Sequence, residues 1–377
     1  MATLEHAVAS SPRFADAWAL LARENAHLYF RHYETEARRV AATRALQKAI
    51  ELQPDAPDTL IAQGYFSYWV DADYVDAART MLLVREHWPE KHDATVALAR
   101  ISRRQNHYAD AARYFEEALA YDSLNMEWVL GAANARLTLG QFSVALKLVS
   151  HAVDIDPTDI QALGLKAYIF QAQGDLADAA AVLKTLPNRP GDYATVSLIA
   201  EQARLERHYP AAIGLWKAYL AAPEVPVEDG VVAAQQELSH LLMLAGDPTA
   251  GSSLRAVRDA LEKERGSRPA DPWPIGNLAL VYADLGEAAL ANTLAASAAG
   301  FEVVKNDADR AKLIDIIRAS VATRVGDKDQ AIDILTRLLT GPAKDAVSPG
   351  LLAVDPEWDS LRPDARFASL TQGSPTL

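Results

Sequence analysis

Read for the spacing of its apolar positions, the chain repeats itself. Tyr108 to Leu119 carries Ala111, Phe115 and Ala118 on one helical stripe. Thirty-four residues later, Phe142 to Val153 carries Ala145, Val149 and Ala152 on the matching stripe. The small residues let a neighbouring helix come close, and the large one fills the groove beside it. A period of about 34 fits a helix-turn-helix unit that cannot bury its own face and must stack on a copy of itself.

Taken in order, the pattern predicts about nine such units. Ala7 to Pro12 reads as the tail of a repeat without its first helix, which suggests that the sequence is cut from something longer. The first full unit runs from Ala15 to Pro54 and is about eight residues longer than the others, with the extra length around Tyr29 to Glu34. Later units close at Pro89, Ser123, Pro157 and near Pro187 to Pro190. Gly140 and Gly174 stand one repeat apart, each where a turn needs positive φ. Beyond Pro190 the spacing loosens. Loops are expected at 223–230 and 266–274. Helices are expected over Val231–Ala245, Thr249–Arg265, Trp273–Leu285, Glu287–Val303, Ala308–Val325 and Lys328–Leu339. In the tail, Trp358, Leu361 and Phe367 can cover the apolar face of the last pair, and Ser369 to Leu377 is expected to fray. The expected organisation is a partial repeat or cap (1–14), a regular array (15–190), a degenerate array (191–340) and a C-terminal cap and tail (341–377).

Composition narrows the function classes. Lys plus Arg number 37 against 50 Asp plus Glu, a net charge of −13, so a phosphate backbone should be repelled and no nucleic-acid partner is expected. The chain has no cysteine, which removes disulfides, thiolate metal sites and cysteine nucleophiles. No apolar run of about 18 residues is present to span a membrane, and Met1 to Pro12 lacks the regions of a signal peptide. The cytoplasm is the expected compartment, or the periplasm if a preceding part carries a membrane segment. The nine histidines are scattered. Neither His27 with His32 nor His87 with His92 has the i, i+4 spacing that presents two ligands on one face. No nucleophile elbow, P-loop or dinucleotide glycine pattern is present. No metal, no cofactor and no catalysis are expected.

These residues resemble the tetratricopeptide repeat family. Trp18, Leu21 and Ala22 match the opening of its first helix. The small-x3-bulky pairs that begin at Ala42, Ala77, Ala111, Ala145, Ala179, Ala212 and Ala331 match its second. The resemblance covers about Ala15 to Leu339 and is strongest between Ala42 and Leu186. It implies an all-α, right-handed α-solenoid whose first helices line a concave groove. The ending from Leu351 to Phe367, Leu-Leu-x-x-Asp-Pro-x-Trp-Asp-x-Leu-Arg, is similar to that of tetratricopeptide regions in bacterial signalling proteins. Those follow a serine/threonine kinase, an adenylate cyclase or a winged-helix domain.

On the implied groove, positions one repeat apart form two ladders. One reads Tyr65, Arg100, Asn134, Tyr168, Glu201; its neighbour reads Tyr68, Arg103, Leu137, Gln171, Arg204. Tyr and Arg bury area and keep directional donors, so Tyr65, Tyr68, Arg100, Arg103, Asn134, Tyr168, Gln171, Glu201 and Arg204 are the candidate partner-binding residues. Arg forks suit an acidic or carboxylate group on a protein or peptide. The family's carboxylate clamp of Lys and Asn is not reproduced, since only Asn134 falls at a comparable place. The expected role is a non-catalytic partner-binding module, sensory or regulatory, of a bacterial signalling protein. The alternatives are a small-molecule sensor, with its ligand in the groove or beneath the two loops, and an assembly scaffold.

Overall fold

The computed structural model describes residues 1–31, 35–187, 189–222, 230–341, 345 and 347–372. Among the described residues every regular element is a helix. A short leader, α1 (Ala2–Ser10), precedes a series of helix pairs. These are α2 (Ala15–Arg31) with α3 (Glu36–Leu52), α4 (Pro57–Trp69) with α5 (Tyr74–His87), and α6 (His92–Arg104) with α7 (Tyr108–Leu119). Next come α8 (Met126–Thr138) with α9 (Phe142–Ile155), α10 (Ile160–Gln173) with α11 (Leu176–Leu183), and α12 (Tyr193–Leu205) with α13 (Tyr209–Ala221). Then follow α14 (Val231–Leu244) with α15 (Ala250–Ser267), α16 (Pro272–Asp284) with α17 (Ala288–Ala299), the short α18 (Glu302–Lys305), and α19 (Ala308–Val325) with α20 (Lys328–Thr340). The chain ends in α21 (Pro349–Val354), a 3-10 helix (Pro356–Leu361) and α22 (Ala365–Thr371). This is an all-α helical-repeat fold.

The turns show why the period holds. Between the two helices of successive pairs, one residue takes a left-handed conformation. It is glycine at Gly140 (φ 72°) and Gly174 (φ 82°), as their spacing predicts, and Asn106 (φ 66°) and Arg207 (φ 60°) take it elsewhere. Aspartates then start many of the helices. Asp73, Asp159, Asp175, Asp192, Asp271 and Asp327 each accept a hydrogen bond from a backbone N–H in the first turn. The helix expected from Glu287 to Val303 is two helices. α17 stops at Ala299, Gly300 follows, and Phe301 is extended before α18. Glycine's poor helix propensity there costs about 1 kcal/mol, and the chain breaks where the cost falls. Residues 32–34 of the extra length expected at 29–34 and nearly all of the loop expected at 223–230 lie outside the described residues, as does most of the fraying expected at 369–377.

The chain divides into two compact units, residues 1–132 and 133–377, with the boundary inside α8. In unit 1, α1 packs Val8 against Leu21 and Ala49 of the first pair. A second cluster joins Tyr65, Trp69, Met81, Leu98 and Ile101. Small residues let the helices approach. A Cβ on Gly64 would meet Met81 at 2.7 Å, and one on Gly131 would meet the Phe115 ring at 2.5 Å. In unit 2 the same device recurs where Leu198 of α12 lies over Gly164 of α10. The core of unit 2 continues through Trp216 with Leu241, then Leu261, Leu278 and Ile314. Trp358, Leu361 and Phe367 are buried in one cluster with Ala319, Leu335 and Leu338 of the last pair.

Phe115 is fully buried, and its ring is what Gly131 makes room for. Phe115→Ala should lower unfolding stability by about 3–5 kcal/mol in a denaturant titration. A loss under about 1 kcal/mol would show that this stripe is not an inter-helix core.

Candidate functional site: the first-helix faces and the C-terminal segment

In unit 1 the first helices α2, α4 and α6 bring arginines onto aromatic rings. Tyr65 is completely buried and stacks on Trp69 at 4.3 Å between ring centroids. Its hydroxyl accepts from Arg100 Nη1 at 3.1 Å, while the Arg23 guanidinium lies 4.7 Å above its ring. Tyr68 is also buried, and its hydroxyl accepts from Arg104 Nε at 3.2 Å. Arg104 in turn sits over Phe30 at 5.5 Å. Burial raises the Tyr65 pKa although Arg100 and Arg23 oppose it, so the ring stays a neutral phenol. Arg100 pairs with Glu127, and Arg23 with Asp93 at 2.5 Å. The Glu127 side chain is 69% exposed, so its ion pair is a weak one.

Unit 2 presents the same kind of face on α8, α10, α12, α14, α16 and α19, and here the chain's own C-terminal segment lies on it. Asp345 accepts from Thr138 (3.1 Å) and Lys312 (2.8 Å), and its carbonyl accepts from the Tyr168 hydroxyl. The Ser348 hydroxyl donates to the carbonyl of Ala172. Gly350 is pressed onto α10 so closely that a Cβ would stand 2.4 Å from the carbonyl carbon of Gln173. Arg204 joins Asp355 at 2.7 Å and grips Glu201 with two bonds of 2.7 Å. Arg207 donates to the carbonyl of Val354 at 3.2 Å and to Asp359 at 2.8 Å. The segment thus follows the first helices with carboxylates at 345, 355, 357 and 359 set against cations.

The charges converge on Glu357. It takes a two-bond fork from Arg324 at 2.9 and 2.9 Å, and Arg324 also reaches Asp284 at 3.1 Å. His240 stands between the two carboxylates, with Nδ1 2.9 Å from Asp284 Oδ2 and Nε2 3.5 Å from Glu357 Oε2. Burial alone would push the Glu357 carboxyl up, but Arg324 and His240 hold it well below the usual carboxylate range. On Asp355 burial prevails and raises the carboxyl despite Arg204. Burial and Arg324 both pull His240 down, and the carboxylates of Asp284 and Glu357 more than offset them, so its pKa is raised.

The expected groove residues therefore have defined places. The structure brings Tyr65, Tyr68 and Arg100 together in unit 1, and Arg103 is half-buried on α6. In unit 2, Tyr168 and Arg204 hold the C-terminal segment, and Glu201 braces Arg204. Gln171 is buried, with its amide donating to Gln202 at 2.9 Å. Asn134 is half-buried on α8. Sequence reasoning missed Arg23, Arg207, His240, Lys312 and Arg324. One signal was present: Asp355, Glu357 and Asp359 crowd three carboxylates into five residues. Two openings are of note, and only the second is lined by these side chains. In unit 1 a groove of about 890 Å³ is walled by Leu60, Phe66, Val75, Leu82 and Leu83. In unit 2 a cavity of about 150 Å³ lies among Tyr193, Glu201, Arg204, Trp216 and Glu237.

Residues 102–169 match the family model for the tetratricopeptide repeat. In the structure that stretch contains α7, α8, α9 and most of α10, with the turn glycine Gly140 between two of them. That stretch carries tetratricopeptide repeats. A TPR repeat-containing protein of Bacillus subtilis strain 168, YpiA, is 26% identical over 130 residues, 34% of this chain. The match spans 30% of that relative's length. Solved structures give weaker likenesses. PilW, described as a type IV pilus biogenesis factor, aligns over 52% of this chain and 88% of its own, at 18% identity and a TM-score of 0.44. The human IFIT1 dimer with PPP-AAAA aligns over 94% of this chain and 89% of its own, at 16% identity and a TM-score of 0.47. Tetratricopeptide repeats serve generally as non-catalytic protein-interaction scaffolds. Among the described residues no helix is long and apolar enough to cross a membrane.

Two substitutions test the C-terminal contacts. Gly350→Ala should cost about 1–3 kcal/mol, because a methyl group has only backbone to push against. Arg324→Met should cost about 3–5 kcal/mol, because Glu357 and Asp284 would stay buried without their shared cation. Both are read by denaturant unfolding. A neutral Gly350→Ala would mean that α21 does not seat on α10.

Proposed function

We propose that this chain is a non-catalytic module that binds an acidic segment of a protein partner along the first-helix face of unit 1. The reading rests on what the chain does with itself in unit 2. There an acidic strip is laid across the first helices, with Arg204 and Tyr168 among its anchors. Arg103 and Tyr65 occupy the matching ladder positions in unit 1, three repeats earlier. A guanidinium fork takes a carboxylate two bonds at a time, and Tyr and Arg are the residue types that anchor interfaces. Arg100 can exchange the exposed Glu127 for a partner's carboxylate at little cost. The net charge of −13 favours a protein over a nucleic acid.

The setting we propose is the sensory or regulatory half of a bacterial signalling protein in the cytoplasm. The tail from Leu351 to Phe367 supports it through its likeness to the endings of such proteins. A second reading, a small-molecule sensor, draws on the cavity beside Tyr193 and Trp216.

Affinity capture from lysate with mass spectrometry, wild type beside Arg100→Glu/Arg103→Glu, decides between them. The expected result is a partner whose recovery falls about tenfold or more in the variant, with the helical content by circular dichroism unchanged. Equal recovery would remove the unit 1 face from the reading. No enriched protein, together with a small molecule retained in native mass spectrometry, would favour the sensor.

A further inference from the structure

We propose that His240 acts as a proton-operated clasp that holds the C-terminal segment on unit 2. The argument starts from geometry. Both ring nitrogens of His240 face carboxylate oxygens, Asp284 at 2.9 Å and Glu357 at 3.5 Å. A neutral imidazole has one N–H, so one of its nitrogens would turn a lone pair toward a carboxylate. The imidazolium has two N–H groups, one for the hydrogen bond to Asp284 and one toward Glu357, which Nε2 meets at ion-pair distance without a hydrogen bond among the described residues. The surroundings are dry: the side chains of Asp284, Glu357 and His240 are 3%, 8% and 10% exposed. Asp284 Oδ1 has no hydrogen-bond partner among the described residues, so this carboxylate is already short of donors.

The charge balance points the same way. Asp284 from α16 and Glu357 from the 3-10 helix bring two negative charges. Arg324 from α19 brings one positive charge, and the imidazolium supplies the other. Around this node stand Glu237 on His240's own helix α14, Glu201 and Arg204 on α12, and Asp355 at the end of α21. Those four sum to two further negative charges, which also favours a cation at position 240. Without the proton, two buried carboxylates share one guanidinium, and Glu357, the one carried by the C-terminal segment, loses a partner.

The direction of the pH effect follows. His240 titrates higher in the folded chain than its ordinary value of 6.5. Its contribution is therefore fully present below about 6.5 and is lost as pH rises through the higher folded value. The segment is held firmly in mildly acidic solution and loosens on the alkaline side. Loosening frees Arg204 and Arg207, which Asp355 and Asp359 otherwise occupy. The clasp stands whether or not unit 1 binds a partner.

Hydrogen exchange of the full chain from pH 6 to pH 9, corrected for intrinsic rates, tests it, with the His240 titration followed by NMR. The expected result is a protection of residues 347–359 that falls about fivefold or more as His240 loses its proton, while α6 stays unchanged. In His240→Gln the same peptides should show the low protection at every pH. Flat protection of 347–359 in the wild type, or a His240 that titrates below 6.5, would overturn the clasp. Both of those readouts use the wild type alone, so they decide the matter even if the variant does not fold.

Discussion

A helix pair with two small residues and one large residue on a stripe has no interior of its own. It acquires one only when the next pair sets its own helix into the space that the small residues leave. Phe115 over Gly131 and Leu198 over Gly164 are two cases of this in the two units. Everything else in the fold is subordinate to that approach. The turns must reverse the chain within a few residues, which is why a left-handed residue recurs between paired helices. The helices must start promptly after their loops, which is why aspartates sit at their N-termini. Polar side chains are thereby sorted to the faces that the stacking leaves over.

What those leftover faces do differs between the units. In unit 1 arginines settle on buried aromatic rings, and their carboxylate partners are largely at the surface. Such pairs exchange readily because the carboxylate side remains hydrated. In unit 2 the arginines face carboxylates from the chain's own end, and the pairs around Glu357 are buried. A buried ion pair gives back little more than its desolvation costs, yet losing one partner is expensive. The network around Glu357, Arg324, Asp284 and His240 is therefore better understood as a device for position than as a source of stability. It specifies where the C-terminal segment lies, while Leu352, Trp358 and Leu361 supply the apolar burial that keeps it there.

The candidate site was partly legible in the sequence. The ladder positions Tyr65, Arg100, Tyr168 and Arg204 stood out because polar residues recurred at the repeat spacing on helices that were otherwise apolar. The ladder did not distinguish a residue waiting for a partner from one already holding the chain. Tyr65 illustrates the difficulty. A tyrosine at that spacing suggests an exposed anchor, yet its ring is wholly buried against Trp69 and beneath Arg23, and its hydroxyl receives Arg100. Gln171 likewise turned inward to Gln202.

By itself the sequence determined the helices, their pairing and the repeat they build, because each of these depends on residues three, four or about 34 positions apart, and such spacings leave a period. It also determined the burial of Trp358, Leu361 and Phe367 to the extent that large apolar side chains near a chain end must find cover. Only the tertiary structure decided that Asp345 and residues 347–359 lie against the first helices of unit 2. Arg204 meets Asp355, and Arg207 meets Asp359, across roughly 150 positions of chain. Charge pairs at that separation have no period and no register. Any of the 37 basic side chains could have met any of the acidic ones until the stacked helices brought these together.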